Sequence, residues 1–273
     1  MSRLRQYRRG GLLFDVRDEG PVDGESVVLL HGFPQSSAAF DKVVPALHGG
    51  GLRTLAPDQR GYSPGARPAA RAAYRLEWLV ADVLALLDAA GLERAHLVGH
   101  DGGGGVAWAM ATAHPDRVAS LTALSTPHPR AMARSLLNPA QLVRSSYMLA
   151  FQVPRLPEAA LAGRLEGTLR ESGLPEPDAA RYAALMDEPG ALTAALSWYR
   201  ALPLTRLALG PVQVPTTYLW GNRDPYLSRS AAEHTGDHVE ERYRFVELPA
   251  GHWLPEREPE EVSTAVLDLV GAR

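Results

Sequence analysis

Residues 97–108 read LVGHDGGGGVAW, a short apolar run that passes through glycines directly into a helical pattern. The spacing Gly-x-Asp-x-Gly puts Asp101 at the apex of the turn, between Gly99 and Gly103. Such a strand-to-helix turn holds its central residue in a strained conformation, and the flanking glycines remove side chains that would clash. The carboxylate is then exposed at the edge of a sheet, near a helix N-terminus that favours its ionised form. Asp101 is therefore a candidate nucleophile.

Two other interpretations of this turn remain open from these residues alone. The glycines at 102–105 could cradle a phosphate group, or Asp101 could be a simple helix N-cap. The segment does not have the usual context of a dinucleotide-binding Gly-x-Gly-x-x-Gly motif, and no Gly-Lys-Ser/Thr follows it. Residues elsewhere in the chain decide between these interpretations.

Two later strand ends supply the partners that a nucleophile needs. The predicted strand 216–220 runs into Gly-Asn-Arg-Asp, which ends at Asp224, and the predicted strand 244–248 runs into Pro-Ala-Gly-His, which ends at His252. An aspartate after a strand is commonly a turn former, and a lone histidine is commonly a surface residue. Together, in the order nucleophile, acid, histidine, they match the catalytic triad of α/β-hydrolases.

An oxyanion hole is predicted from backbone groups alone. The tetrapeptide HGFP at 31–34 follows an early apolar run, so the N–H groups of Phe33 and Gly102 can point at the same oxygen. The alternative interpretation of this tetrapeptide is a simple turn before a helix.

Strand and helix patterns alternate along most of the chain. Continuous apolar runs predict buried strands, and apolar residues at helical spacing predict helices. The predicted strands are 27–30, 53–56, 95–98, 118–124, 216–220 and 244–248, and the predicted helices include 76–87, 104–114 and 259–270. Because parallel neighbours need crossover connections, this alternation favours an α/β fold with a mostly parallel central sheet flanked by helices.

Between Pro129 and Leu202 the pattern changes to helical segments punctuated by prolines, with no convincing strand. Residues 130–202 are therefore predicted to form an inserted helical cap domain over the carboxyl edge of the sheet, where open α/β sheets bind ligands. The α/β-hydrolase core domain is then 1–129 together with 203–273.

Composition and charge exclude several classes of protein. The 273 residues are 45% hydrophobic and 22% charged, which is enough for a large buried core. The net charge of −3 is spread along the chain, so neither nucleic acid nor a membrane is an expected partner. Without cysteine there is no disulfide or thiolate chemistry. No apolar run suits a signal peptide or a membrane span, and a soluble cytoplasmic protein, monomeric or homodimeric, is expected.

Taken together, these segments resemble the epoxide hydrolase and haloalkane dehalogenase branch of the α/β-hydrolase superfamily over nearly the whole chain. DQRGYS at 58–63 is similar to the Asp-x-Arg-Gly-Tyr segment of that branch, and VGHD at 98–101 to its nucleophile strand. PHP at 127–129 resembles the passage into its cap. The resemblance implies that an epoxide is converted to a vicinal diol through an ester on Asp101. Water activated by His252, which Asp224 orients, would hydrolyse that ester.

Two cap motifs extend this resemblance to ring-opening tyrosines. YMLAFQVP at 147–154 resembles the epoxide hydrolase segment with the first such tyrosine, which falls on Tyr147. SWYR at 197–200 resembles the segment with the second, which falls on Tyr199. A single cap tyrosine is more often a packing residue, but two at matching motifs favour a role in catalysis. The residues expected to contact an apolar substrate are Phe33, Phe151 and Trp198.

The chain departs from this branch at the position directly after the nucleophile. Dehalogenases and many epoxide hydrolases of the branch have tryptophan there, and fluoroacetate dehalogenases have arginine, whereas this chain has Gly102. A halide would therefore lack its usual indole donor. Haloalkane or haloacid dehalogenation by the same aspartate is the second hypothesis, and a non-catalytic small-molecule receptor on the same scaffold is the third. The reaction implied first needs only a small-molecule epoxide and water, so no cofactor or metal is expected.

Overall fold

An eight-stranded sheet organises residues 3–207 and 210–271, the parts of the chain that the computed structural model describes. The strands are β1 (Gln6–Arg9), β2 (Leu12–Glu19), β3 (Ser26–Leu30), β4 (Arg53–Pro57), β5 (Ala95–His100), β6 (Val118–Leu124), β7 (Thr216–Gly221) and β8 (Tyr243–Leu248). Residues 1–2, 208–209 and 272–273, which the predicted core domain includes, lie outside the described residues.

The strand order is β1-β2-β4-β3-β5-β6-β7-β8. The pairs β1–β2 and β2–β4 are antiparallel, and all later pairs are parallel. β5 lies in the middle, with Leu97 opposite Val28 of β3 and Leu121 of β6. Because parallel strands end at the same edge, the carboxyl ends of β5, β7 and β8 converge on one edge of the sheet. This confirms the prediction of an α/β fold with a mostly parallel sheet.

Thirteen α-helices occur among the described residues. They are α1 (Val44–Gly49), α2 (Leu76–Ala89), α3 (Gly102–Ala113), α4 (Pro129–Ser135), α5 (Pro139–Arg144), α6 (Ser146–Ala150), α7 (Leu156–Leu161), α8 (Leu165–Glu171), α9 (Glu176–Met186), α10 (Ala191–Ala201), α11 (Arg229–Glu233), α12 (Leu254–Arg257) and α13 (Pro259–Gly271). None of these helices is long and apolar enough to cross a membrane.

Two hydrophobic layers cover the two faces of the sheet. On one face, α2 and α3 pack against the strands, and Trp108 of α3 is among the largest fully buried side chains. On the other face, α1 and α13 contribute buried residues such as Leu47 and Val266. The strands between the layers are covered on both sides, and every residue of β3, β4 and β5 is buried.

Seven helices, α4 to α10, lie between β6 and β7, followed by a short 3-10 turn at Leu202–Leu204. We call residues 129–204 the helical insertion. Its hydrophobic cluster is built from α8, α9 and α10, and it includes two residues from outside the insertion, Tyr62 and Trp253. The insertion therefore packs directly on the sheet's carboxyl edge. The division of the chain into separate core and cap domains stays a prediction.

The first two strands were not predicted. One face of β2 is buried and the other is half-buried. Charged residues stand between its apolar positions in the sequence, so the segment does not have the pattern of a strand buried on both faces. Its pairing is stabilised by a buried ion pair in which Arg53 of β4 donates to both carboxylate oxygens of Asp18, at 2.8 and 2.7 Å. Arg53, which is distant in sequence, thus compensates the buried charge of β2.

Candidate active site

Asp101 occupies the sharp turn between β5 and α3. Its φ is 49°, a left-handed conformation that residues with side chains rarely adopt, and ψ is −121°. The turn is tight enough that a side chain at Gly103 would overlap the carbonyl of Leu30, and one at Gly99 would overlap the backbone of Gly103. The glycines of this segment are therefore required by close backbone packing, as expected for a nucleophile elbow.

The carboxylate of Asp101 is held by the loop after β3. The backbone N–H of Phe33 donates to Asp101 Oδ1 at 2.8 Å. Gly32 lies against the same carboxylate, and a Cβ there would overlap it. Gly102 follows Asp101 as the first residue of α3. Of the two N–H groups predicted to form the oxyanion hole, that of Phe33 binds the Asp101 carboxylate, and the role of Gly102 stays a prediction.

His252 and Asp224 complete a buried chain of polar contacts with Asp101. His252 Nδ1 lies 2.7 Å from Asp224 Oδ2, and His252 Nε2 lies 3.5 Å from Asp101 Oδ2. The other oxygen of Asp224 accepts hydrogen bonds from the N–H groups of Tyr226 and Leu227, at 2.7 and 3.1 Å. These bonds orient Asp224 as an acceptor, so Nδ1 of His252 donates to it and Nε2 faces Asp101.

The charges of this group stabilise one another. Burial lowers the pKa of His252, but the carboxylates of Asp224 and Asp101 outweigh burial and raise the pKa to about 10. Burial raises the pKa of Asp101, but His252 and the Phe33 N–H together bring it below its usual value. Both shifts have the same direction, since each favours an ionised Asp101 beside a protonated His252.

Two phenols face this carboxylate from the insertion. Tyr147 lies on α6 and Tyr199 on α10, and both line the same cavity as Asp101 and His252. Their rings meet edge to face with centroids 6.0 Å apart. Burial and the negative charge of Asp101 raise the pKa of both hydroxyls, so both remain protonated donors at neutral pH.

Hydrogen bonds between the two cap motifs fix the positions of these tyrosines. Gln152 Nε2 donates to the carbonyl of Tyr199 at 2.8 Å, joining the segment after α6 to α10. Arg200 donates to the carbonyls of Phe151 and Val153, at 2.8 and 3.0 Å, and pairs with Glu158. The two segments that the sequence identified separately therefore form one hydrogen-bonded unit.

The cavity above Asp101 has a volume of about 330 Å³, which is in the range of small-molecule sites. Phe33 and Trp198, predicted to contact substrate, line it. Apolar side chains from several elements form much of the remaining wall: Leu76, Leu79, Met132, Met148, Leu202 and Leu227. Such a wall suits an uncharged, apolar ligand.

Phe151 has a different position from the one predicted. It does not line the described cavity but packs behind the two phenols, with its ring centroid 5.4 Å from Tyr147 and 5.1 Å from Tyr199. Its carbonyl accepts a hydrogen bond from Arg200 Nε at 2.8 Å, which joins this end of α6 to α10. Phe151 therefore supports the tyrosines.

Tyr226 is a cavity residue that the sequence reasoning missed. Its ring packs edge to face on His252, with centroids 4.9 Å apart, and on Tyr147 at 5.6 Å. It follows Asp224 by two residues in the same loop, and its backbone N–H binds that acid. Its proximity to Asp224 was the only available signal, because nothing in the sequence pairs this loop with Tyr147.

The segment at 58–63 supports the site from outside the cavity. Gln59 donates its backbone N–H to His31 Nε2 at 3.1 Å, which fixes the loop that carries Phe33. Arg60 is buried and forms a bidentate ion pair with Asp82 of α2, with both bonds at 2.7 Å. The carbonyl of Arg60 accepts the indole N–H of Trp198 at 2.7 Å. The segment thus connects the Phe33 loop, α2 and the insertion.

The sheet, the strained aspartate at its centre and the adjacent histidine and acid define an α/β-hydrolase. Residues 25–259 match the family model described as alpha/beta hydrolase fold. The chain is 36% identical to the AB hydrolase superfamily protein YfhM of Bacillus subtilis, with 95% of each chain covered. It is 33% identical to Epoxide hydrolase A of Mycobacterium tuberculosis, with 95% of this chain and 94% of the relative covered.

A solved structure agrees with these relatives. The crystal structure of Epoxide Hydrolase A from Mycobacterium thermoresistibile matches with a TM-score of 0.84 and 31% identity, covering 98% of this chain and 97% of that one. The chain belongs to the α/β-hydrolase superfamily, in the branch that contains these epoxide hydrolases.

Proposed function

We propose that this protein hydrolyses epoxides to vicinal diols. The observation that carries the proposal is the placement of Asp101 Oδ2, which lies 3.5 Å from His252 Nε2 in an apolar cavity that Tyr147 and Tyr199 also line. Epoxide hydrolase A of Mycobacterium tuberculosis and the crystal structure from Mycobacterium thermoresistibile, which both bear the name epoxide hydrolase, support the same activity.

Ring opening is the first step of the proposed reaction. Asp101 Oδ1 is held by the Phe33 N–H, so the oxygen that attacks a ring carbon is Oδ2, which lies 3.5 Å from His252 Nε2. A carboxylate is a weak nucleophile, but it opens a strained three-membered ether when the departing oxygen receives a proton or hydrogen bond. Tyr147 and Tyr199 supply that donation. The products are an alkyl ester on Asp101 and a hydroxyl on the adjacent carbon.

Forming the ester changes the state of His252. The charge of Asp101 is one of the interactions that raise the pKa of His252, and the ester has no charge. Its loss lowers the pKa of His252, so the imidazolium releases its proton towards the opened oxygen through the phenols. The neutral imidazole that remains is a base, with Asp224 still bound to Nδ1.

Hydrolysis of the ester completes the cycle. His252 takes a proton from water, the hydroxide adds to the carbonyl carbon of Asp101, and the carbonyl electrons move onto Oδ1. That oxygen already faces the Phe33 N–H, and losing one such donor typically raises a barrier by about 3 kcal/mol. Collapse of this intermediate breaks the bond to the alkyl oxygen, which takes the proton of the added hydroxyl. Diol, ionised Asp101 and protonated His252 result.

A single-turnover reaction in heavy-oxygen water tests this route. With enzyme in excess over styrene oxide, the first diol formed should contain only ordinary oxygen, because its new oxygen comes from Asp101. The label should appear in the peptide that contains Asp101, measured by mass spectrometry. Label in the first diol would show direct attack by water and overturn the proposed nucleophile.

Replacing His252 separates the two steps. His252→Gln should open the epoxide but accumulate an adduct on Asp101 with the mass of the substrate, because the base for hydrolysis is gone. Intact-mass spectrometry measures it. His114→Gln, at the far end of α3, is the matched control and should turn over normally. Normal turnover by His252→Gln would contradict its assignment as base.

Replacing both phenols tests ring opening itself. The double variant Tyr147→Phe, Tyr199→Phe should form neither adduct nor diol while keeping the wild-type circular dichroism spectrum. Tyr243→Phe, which removes a buried hydroxyl on β8, is the control and should retain activity. Halide release from haloalkanes is assayed in parallel. Halide release in place of diol formation would favour dehalogenation by Asp101.

A further inference from the structure

The cavity continues from Asp101 along one side of α3. Gly102 and Gly105 are three residues apart, so they share a helix face, and both line the cavity with Asp101. A rise of about 1.5 Å per residue places Gly105 roughly 6 Å further along the helix than Asp101. The space open to a ligand therefore extends about one helical turn beyond the nucleophile.

The two glycines are in different surroundings. A Cβ at Gly102 would lie 3.4 Å from the ring of Trp198, so the indole already covers that position. The indole is held there by its hydrogen bond to the carbonyl of Arg60 at 2.7 Å. A Cβ at Gly105 would meet no atom within 4 Å. Gly105, rather than Gly102, therefore keeps this part of the cavity open.

The cavity that Gly105 lines has several apolar side chains in its wall. We assign the space beside Gly105, which we call the glycine-face recess, to the cavity-lining residues Gly105, Leu76, Leu79, Met132, Leu202 and Thr205. Of these six, Thr205 has the one hydroxyl, and it accepts the backbone N–H of Leu76 at 3.3 Å. No charged side chain belongs to this set. A hydrocarbon group can therefore enter the recess without separating a charge from its partner.

We propose that the glycine-face recess receives the hydrocarbon substituent of the substrate and that Gly105 determines how large this substituent can be. The proposal rests on the proposed function, because it places the epoxide ring at Asp101 and the substituent along α3. The substrate class is then epoxides with an alkyl chain of several carbons or an aryl group beside the ring. A substituent of that kind buries apolar surface in the recess, whereas a methyl group does not reach it.

A graded series at Gly105 tests the proposal. Gly105→Ala and Gly105→Leu should fill the recess stepwise, and both residues are better helix formers than glycine. For 1,2-epoxyoctane, kcat/KM should fall by roughly tenfold or more in Gly105→Leu, as expected when a pocket loses the volume of several methylenes. For 1,2-epoxypropane it should change by less than about twofold, since the smaller substituent ends before the recess.

The control and a binding measurement separate this proposal from the proposed function. Gly167→Leu, an exposed helix position with open space around it, should leave both substrates unaffected. Binding of 1,2-octanediol and 1,2-propanediol is measured by calorimetry, which requires no turnover. If the wild type hydrolyses neither epoxide, the proposed function fails, yet weaker octanediol binding by Gly105→Leu still supports the recess. Unchanged octanediol binding by Gly105→Leu, or equal losses for both diols, would overturn it.

Discussion

Glu256 is a buried carboxyl group directly behind the active site. Its Oε1 accepts hydrogen bonds from Gln35 Nε2 at 2.7 Å and from the hydroxyl of Tyr182 at 2.9 Å. Its Oε2 has no hydrogen-bond partner within residues 3–207 and 210–271. Burial disfavours the ionised form and raises the pKa of Glu256 to about 7. Because Gln35 also accepts the N–H of Gly32, this carboxyl is connected to the loop that binds Asp101.

The shifted pKa of Glu256 makes the stability of the protein depend on pH. Its ordinary pKa is 4.5, so between pH 4.5 and 7 the folded state holds a proton that the unfolded state has released. The contribution of Glu256 to the free energy of unfolding is therefore unchanged below pH 4.5 and declines as the pH rises. By pH 8 it is lower by roughly 3 kcal/mol than below pH 4.5. Glu256→Gln removes the titration, so its free energy of unfolding should increase relative to wild type over this range.

Urea denaturation at pH 4.5, 6 and 8 measures the prediction. Glu261→Gln, on the exposed side of α13, is the control for loss of one negative charge. Its free energy of unfolding should change with pH in the same way as that of the wild type. Parallel curves for wild type and Glu256→Gln would show that folding does not shift the pKa of Glu256, and the prediction would be wrong.

At the scale of elements, the two tyrosines depend on how α6 and α10 are joined. Arg200 is the main connection, because one guanidinium binds two carbonyls of the segment after α6 and the carboxylate of Glu158. Lysine retains the charge but cannot reproduce this planar set of donors. Arg200→Lys should therefore displace Tyr147 relative to Tyr199 while leaving His252 and Asp224 in place.

The expected result of Arg200→Lys is a selective loss of ring opening. The rate of adduct formation, measured by rapid quench and mass spectrometry, should fall by roughly tenfold to a hundredfold, because a displacement of about 1 Å can cause a loss of that size. Hydrolysis of the adduct once formed should keep its rate. Arg229→Lys, an exposed ion-paired arginine on α11, is the control. Equal slowing of both steps would show general destabilisation instead of a displaced tyrosine.

The strands and turns that carry the site residues were predictable because each is determined by its local sequence. β6 has the predicted bounds, Val118–Leu124, and the other predicted strands agree within two residues at each end. The elbow and the strand ends that carry Asp224 and His252 are short motifs with their own turn chemistry. Their convergence follows from a parallel sheet, in which those strand ends share one edge.

The features that could not be predicted from the sequence depend on contacts between distant segments. The charged strand β2 is stabilised by Arg53, and the position of Tyr226 is set by packing on Tyr147. Phe151 packs on Tyr147 and Tyr199, and its carbonyl is bound by Arg200, far along the chain. The open space beside Gly105 depends on the other elements that line the cavity. None of these features has a periodic or local signature.

For the whole molecule, the decisive feature is that the insertion shares its hydrophobic cluster with residues from outside it. Its buried cluster is completed by Tyr62 and Trp253, which flank the sheet edge. The indole N–H of Trp253 also donates to Ser172 of the insertion at 3.0 Å. Ion pairs such as Lys42 with Asp178 and Arg67 with Glu188 lie across the same boundary. The insertion and the sheet should therefore unfold as one unit.

Leu169→Ala tests this cooperativity, because Leu169 is buried in α8 within the insertion's cluster and distant in sequence from every strand. A buried leucine-to-alanine change typically costs about 2–5 kcal/mol. If the molecule unfolds as one unit, hydrogen exchange should accelerate by the same factor in the slowest amides of β5, β6 and α9, because all of them exchange through global unfolding. If the insertion opens alone, acceleration will be confined to the insertion and the strands will keep their wild-type rates. Tyr147 and Tyr199 would then leave Asp101 without any unfolding of the sheet, whereas a shared transition means that both phenols stay beside Asp101 for as long as the fold persists.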